Sequence, residues 1–154
     1  MTQATSASPF VPDEFDPPRR LDHAQFRLHP LDVQHNERDY AAWTSSMQHI
    51  KATPGFADAT WPHPMSLEAN HDDLAQHAAD FAARRGFTFT VLDAQDDVIG
   101  CVYIYPSRDA DHDARVRSWV RASHAPLDPV LHDAVARWLA DAWPFERVDY
   151  APRK

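Results

Sequence analysis

Apolar residues along this chain recur at two different spacings, and the switches between them mark out the elements. "FRLHPL" (26–31) alternates and ends at a proline, the pattern of a short strand. From Asn36 the period becomes helical: Tyr40, Trp43, Met47 and Ile50 fall 3, 4 and 3 apart, with Asn36 as N-cap and Asp39 three residues on. "KATPGFADATWPHPM" (51–65) is a proline-rich loop carrying Phe56 and Trp61. A second helix is predicted over 70–85, with Leu74, His77, Ala78 and Phe81 on one face and Gly86 as its C-cap. "FTFTVLD" and "VIGCVYIYP", joined by "AQDD", form a hairpin, and "ARVRSWVR" (114–121) is the next strand. Asp128 as N-cap and Pro129 at the first helical position start a last helix, striped by Val130, Leu131, Ala134, Trp138 and Leu139. Pro144 ends it, and "FERVDY" (145–150) is the final strand.

The order β–α–α–β–β–β–α–β predicts an α/β (α+β) fold on one mixed sheet. Strands joined by short turns should run antiparallel, and the closing β–α–β piece should be a right-handed parallel crossover. Residues 1–22, with four prolines and no apolar period, read as an extended arm on a single domain spanning 23–154. Phe10 and Phe15 are the residues that could dock that arm.

Composition narrows the function classes. With 154 residues, 44% of them hydrophobic and 25% charged, the chain suits one soluble domain with a sizeable core. A net charge of −8 without a basic run argues against nucleic acid and anionic membranes as partners. The apolar run in 98–105 is too short to span a bilayer, and "MTQATSASPF" lacks the marks of a secretory signal. Cys101 is the single cysteine, so no disulfide framework forms; together these features point to the cytoplasm. Metal patterns fail too. Asp109, Asp111 and Asp113 alternate as in a calcium loop, but Ala114 and Val120 stand where glycine and glutamate are needed. His71 and His77 are six apart on one helix and face different ways. Cys101, mid-strand and among apolar neighbours, makes a poor nucleophile.

The strand order resembles the GCN5-related N-acetyltransferase (GNAT) superfamily. The residues that carry the likeness are "FRLHPL" and the two helices after it, the hairpin "GFTFTVLDAQDDVIGCVYIYP", and "ARVRSWVRAS" leading into "PLDPVLHDAVARWL". The resemblance covers roughly residues 24–150. It implies transfer of an acetyl group from acetyl-CoA to an amine of a small molecule or protein. In that superfamily the strand matching 114–121 offers its backbone to the pantetheine arm. The loop after it, usually Arg/Gln-x-x-Gly-x-Gly/Ala, wraps the pyrophosphate at a helix N-terminus. Here "ASHAPLDP" has no glycine, Pro126 and Pro129 lack N–H donors, and Asp128 brings a carboxylate where an anion would sit. Arg121, Ser123 and His124 are the side chains that could replace the lost donors, with Trp119 and Val120 as the strand contacts. The superfamily usually continues past the fifth strand with a helix and two strands. The chain runs four residues past Tyr150, so the resemblance implies a sheet edge covered by the docked arm or by a second subunit in a homodimer.

Regular alternation puts Ile99, Cys101, Tyr103 and Tyr105 on one face of their strand, and Arg115, Arg117, Trp119 and Arg121 on one face of the next. If these faces coincide, they make a cleft wall able to hold a carboxylate or phosphate; otherwise the arginines shield a solvated sheet face. Trp61 and His63 lie in the loop that covers the acceptor side in the resembled family, although Trp61 could equally plug the core. Acyl transfer to an amine needs a base, for which His124 has a suitable unperturbed pKa, and an acid, for which Tyr150 or Tyr105 would serve. The substrate-side candidates are thus Trp61, His63, Tyr103, Tyr105 and Arg117. Two readings remain: an acyl-CoA-dependent N-acetyltransferase with a divergent phosphate loop, or a non-catalytic protein on that scaffold that binds a small anionic ligand or a protein partner.

Overall fold

The structure, a computed structural model, describes residues 9–153, and its centre is the long hairpin that the sequence marks most strongly. Strands β3 (Phe87–Leu92) and β4 (Val98–Pro106) pair antiparallel within a six-stranded sheet. The sheet follows chain order: β1 (Leu21–Asp22), β2 (Arg27–Pro30), β3, β4, β5 (Ala114–Val120) and β6 (Val148–Tyr150). All neighbours are antiparallel except β5 and β6, which are parallel, as the expected crossover requires.

Helix α4 (Asp128–Ala142) forms that crossover and covers one face of the sheet. Its Leu131, Val135, Trp138 and Leu139 pack on Val116, Val120, Phe89 and Val102. The chain before β1 runs over the same layer: Val11 is fully buried, and Phe10 and Phe15 pack beside it. Phe10 stacks on Phe87 and Phe145 at 5.9 and 5.1 Å, and Phe15 meets Trp143 at 5.5 Å. Residues 1–8 of the expected arm lie outside the described residues. On the opposite face lie α1 (Asn36–Thr44), α2 (Met47–Lys51) and the 51–65 loop, burying Trp43, Ile50 and Phe56 against Cys101 and Trp119. Helix α3 (Leu67–Ala82) serves both layers, Leu74 in one and Phe81 in the other.

Several element ends differ from expectation. The single helix expected from Asn36 to Ile50 breaks at Ser45–Ser46, because Thr44 and Ser45 turn their hydroxyls back onto the carbonyls of Tyr40 and Ala42. Asp32, not Asn36, caps the start, through a 3-10 turn (Val33–His35) that runs into α1. Asn36 donates instead to the Leu67 carbonyl at 3.1 Å. Helix α3 begins three residues earlier than expected, on a Ser66 cap that accepts from the Ala69 N–H. Arg84, at φ 63°, takes the left-handed position after it that Gly86 was expected to fill. Gly86 is needed for a different reason: a Cβ there would lie 2.1 Å from the Tyr105 ring. Asp128 is helical and caps nothing with its side chain.

A bulge also reverses one pair of side chains. Val91 faces Gly100 but Leu92 faces Val98, so Ile99 is the extra residue. Val98 thereby joins Cys101 and Trp119, while Ile99 joins Val102 and Ile104 under α4, opposite to regular alternation. From Cys101 onward the alternation is regular, and Cys101, Tyr103 and Tyr105 sit opposite Trp119, Arg117 and Arg115.

Gly86→Ala should destabilise the fold by about 1–3 kcal/mol, because the Tyr105 ring that a Cβ would meet is anchored through its hydroxyl on His77 and Asp80 of α3. Urea unfolding measures this. A change below about 0.5 kcal/mol would show that the ring has room.

Candidate functional site

The regular part of β4 and β5 brings Tyr103, Tyr105 and Arg117 to one face, and α1, α3 and the 51–65 loop enclose them in a cleft of about 440 Å³. Its floor is acidic. Asp39 lies one turn before Trp43 on the inner side of α1 and is only 4% exposed. Asn70 Nδ2, from α3, donates to Asp39 Oδ2 at 3.1 Å and to Asn36 Oδ1 at 2.8 Å, while Trp43 Nε1 donates to Asn70 Oδ1 at 3.0 Å. Burial pushes the Asp39 carboxyl up to about 6, Asn70 opposing and Asp73 adding to the shift. No cation among the described residues pairs with it.

The α3 wall carries a hydrogen-bonded chain. Tyr105 Oη donates to Asp80 Oδ2 at 2.9 Å, and His77 Nδ1 lies 2.9 Å from Tyr105 Oη and 3.0 Å from Thr88 Oγ1. Burial lowers His77, against the pull of Asp80 and Asp73, so the imidazole is neutral near pH 7. Desolvation pushes Asp80 up, but hydrogen bonds from Tyr105, Gln76 and Arg85 outweigh it and hold the carboxyl below its ordinary value.

The third wall is aromatic and ends in a cation. Trp61 lies 5.4 Å from Trp43, 6.2 Å from Phe56, 6.3 Å from Tyr103 and 6.1 Å from Trp119, ring centre to ring centre. Trp119 Nε1 donates to Tyr103 Oη at 2.9 Å. The Arg117 guanidinium sits 5.3 Å from the Phe56 ring centre and 6.0 Å from that of Tyr103. Gly55, at φ 101°, lets the loop lie against the Arg117 stem. Burial lowers the Arg117 pKa, Arg115 adding, yet a guanidinium stays protonated. No carboxylate among the described residues forms an ion pair with it.

On the other side of β5 the geometry is closed. β5 and β6 pair through Val116 and Tyr150 and then separate. Into that gap Arg153 turns its guanidinium: Nη2 donates to the Ser118 carbonyl at 2.9 Å, Nη1 to the Ala151 carbonyl at 2.8 Å, and Nε to Asp128 Oδ2 at 2.7 Å. The Arg153 side chain is 5% exposed and that of Asp128 is half-buried at 16%. Beneath it Tyr150 Oη and Ser118 Oγ meet at 2.6 Å, and burial pushes the Tyr150 phenol well up. Residues Ala122–Leu127 form two short 3-10 turns kinked at His124 and lead into α4, and the Ala122 N–H is already taken by Ser46 Oγ at 2.9 Å.

Of the residues singled out from sequence, Trp61, Tyr103, Tyr105 and Arg117 line the cleft together. His63 lies outside it, exposed, its ring against the Pro64 carbonyl. His124 sits at the kink before α4, bonded to Ser123 Oγ at 2.9 Å, and Tyr150 bonds Ser118 on the α4 side of the sheet, so neither reaches the cleft. Arg121 turns toward the β3–β4 turn, 3.5 Å from the Val98 carbonyl and 3.6 Å from Asp97. Trp119 and Val120 are fully buried, on opposite faces of β5. Asp39, Asn70, His77 and Arg153 were not expected in these roles. Asp39 and Trp43 are one turn apart, so the helical stripe already put that carboxylate on the buried face.

The residues suggest a relationship that comparison bears out. A family model for the acetyltransferase (GNAT) domain matches residues 25–151. This chain belongs to that family. Among curated proteins none shows significant sequence similarity to it. Its fold is similar to several solved GNAT acetyltransferases. The ribosomal-protein-S5-alanine acetyltransferase from Vibrio fischeri aligns at 14% identity over 84% of this chain and 71% of that one, with a TM-score of 0.65. The ribosomal L7/L12 α-N-protein acetyltransferase in complex with coenzyme A aligns at 13% identity over 77% and 65%, TM-score 0.59. The microcin C7 self-immunity acetyltransferase in complex with acetyl-CoA and AMP aligns at 13% identity over 77% and 63%, TM-score 0.56. At such identities the likeness is one of fold.

The position that the resemblance assigns to acetyl-CoA is crowded by this chain's own groups. The Ser118 carbonyl, in the strand that would face the pantetheine arm, already accepts from Arg153. At the start of α4, two prolines remove donors, Ser46 occupies the Ala122 N–H, and the Asp128 carboxylate faces inward. Among the described residues no group of three or more histidine, cysteine, aspartate or glutamate side chains could hold a metal, and no helix is long and apolar enough to cross a membrane.

Because folding raises the Asp39 pKa from its ordinary 3.8 to about 6, ionising it costs the folded state more than the unfolded one. That cost is absent below about pH 4 and complete above pH 6.5. Asp39→Asn should therefore be more stable than the parent by about 1–3 kcal/mol at pH 7.5, the gap closing as pH falls to 4. Denaturant unfolding at several pH values measures it; a gap independent of pH would contradict the assignment.

Proposed function

We propose that this GNAT-family chain is a small-molecule-binding protein that takes its ligand in the cleft beneath Trp61 and does not transfer acyl groups from acyl-CoA. The observation that carries the reading is Arg153, whose guanidinium spans the Ser118 carbonyl and Asp128 in the gap between β5 and β6. A thioester arm needs that gap and those backbone groups. Displacing Arg153 would leave the half-buried Asp128 without its cation, which costs the folded state free energy. The cleft on the other face is open, lined by aromatic rings and a few polar groups, which is the usual make-up of a small-molecule site.

The second reading, an N-acetyltransferase using acetyl-CoA and an amine acceptor of a small molecule or protein, draws on family membership and on His77. A neutral imidazole that lines the cleft and is oriented by Tyr105 and Asp80 has the arrangement of a general base for an incoming ammonium. Calorimetric titration with acetyl-CoA, and separately with free CoA, separates the two. No heat at millimolar concentrations of either ligand is the expected result. Micromolar binding of both would overturn the proposal and make His77→Ala with an amine panel the next experiment.

A further inference from the structure

The cleft is lined by three carboxylates, Asp80, the exposed Asp73 and the buried Asp39, and by one guanidinium, Arg117. Asp39 and Arg117 are the two charges removed from water without an opposite charge on them. Asp39 is nearly buried at the floor, held by one neutral amide and by no cation. Arg117 lies partly desolvated between Phe56 and Tyr103, with no carboxylate on it. The other partly buried charges are matched: Arg153 has Asp128 behind β5, and Asp80, in the cleft wall itself, has Arg85 and Tyr105. An isolated buried charge is costly in a domain of ordinary composition, so two of opposite sign facing one cavity mark where a complementary molecule belongs.

We propose that the cleft binds a zwitterion: an apolar or aromatic molecule bearing an ammonium that pairs with Asp39 and a carboxylate that pairs with Arg117. This deepens the reading of the chain as a small-molecule-binding protein and rests on it. The rings supply both the apolar surface and the cation recognition. Trp61, Phe56 and Tyr103 line the same cleft as the two charges, and an ammonium near aromatic faces gains from their quadrupoles as well as from the carboxylate. The planar guanidinium of Arg117 suits a carboxylate, which it can hold through two parallel N–H donors. A cavity of about 440 Å³ has room for a molecule of amino-acid to dipeptide size. A ligand with one charge would satisfy one end and leave the other exposed to desolvation without a partner.

The test is calorimetry on the full chain at pH 7.5 with four probes: phenylalanine and 4-(aminomethyl)benzoate as zwitterions, benzylamine as the cation alone and benzoate as the anion alone. At least one zwitterion should bind at least tenfold more tightly than either singly charged probe. Asp39→Asn, which should fold more stably than the parent, and Arg117→Gln should each bring that zwitterion down to the affinity of a singly charged probe. Benzylamine binding as tightly as the zwitterions would overturn the role of Arg117, and the absence of zwitterion binding at millimolar concentration would overturn the inference altogether. Acetyl-CoA titrated into the same samples keeps the two claims apart. Binding of acetyl-CoA together with a zwitterion would refute the non-transferase reading and leave the zwitterion site standing, whereas binding of neither would refute only the site.

Discussion

The ion pair between Arg153 and Asp128 is the contact on which one whole face of this protein depends. β6 follows β5 for three residue pairs, and then Pro152, with no N–H, cannot extend the ladder. The Ser118 carbonyl would be left without a donor at the edge of the core. Arg153 supplies one from its side chain and anchors itself on the first residue of α4. One guanidinium thus ties strand, tail and helix together, and it seals Tyr150 and Ser118 beneath it. Two of the similar structures are complexes with acetyl-CoA or coenzyme A, and in this chain the gap between β5 and β6 is occupied by the Arg153 side chain.

The opposite face is organised by a different constraint, the register of β4 against β5. Pairing Tyr103 with Arg117 and Cys101 with Trp119 stacks rings and a cation on one surface, and the 51–65 loop completes the enclosure by burying Phe56 and leaning Trp61 over it. Burial then acts differently on each group. It holds the Cys101 thiol and the Tyr103 phenol protonated, keeps His77 neutral, and leaves Asp39 ionised only above about pH 6. The two faces therefore differ in kind. Behind β5 Asp128 and Arg153 satisfy each other, whereas in front of it Asp39 and Arg117 have no charged partner among the described residues.

Much of this was legible before the structure, and the misses share a cause. The order of β2 to β6, the antiparallel hairpin and the parallel crossover follow from period and turn residues, which are local signals, whereas β1 lies in the segment expected to be an extended arm. The likeness to the acetyltransferase family followed from the same signals and is upheld by the family match. Tyr103, Tyr105, Arg117 and Trp61 could be named as neighbours because β alternation and loop placement suggest them. The bulge at Ile99 was not legible, since an extra residue in a strand leaves no mark in alternating apolar sequence. Nor was the break at Ser45–Ser46, where three hydroxyls in a row were the available hint. His124 and Tyr150 looked chemically apt in isolation, but residue type carries no information about which side of a sheet a group is sealed on. Asp128 was expected to cap a helix, and only the fold reveals that a residue 25 positions later claims its carboxylate.

The measurement that bears most directly on this account is a double-mutant cycle on the seal, comparing Arg153→Met, Asp128→Asn and the double variant by denaturant unfolding. If Arg153 sits in the gap, Arg153→Met alone should cost about 3 kcal/mol, and the double variant should lose at least about 1.5 kcal/mol less than the sum of the singles. Losses that add within about 0.5 kcal/mol would mean that the two side chains do not meet. The gap between β5 and β6 would then be open to a cofactor.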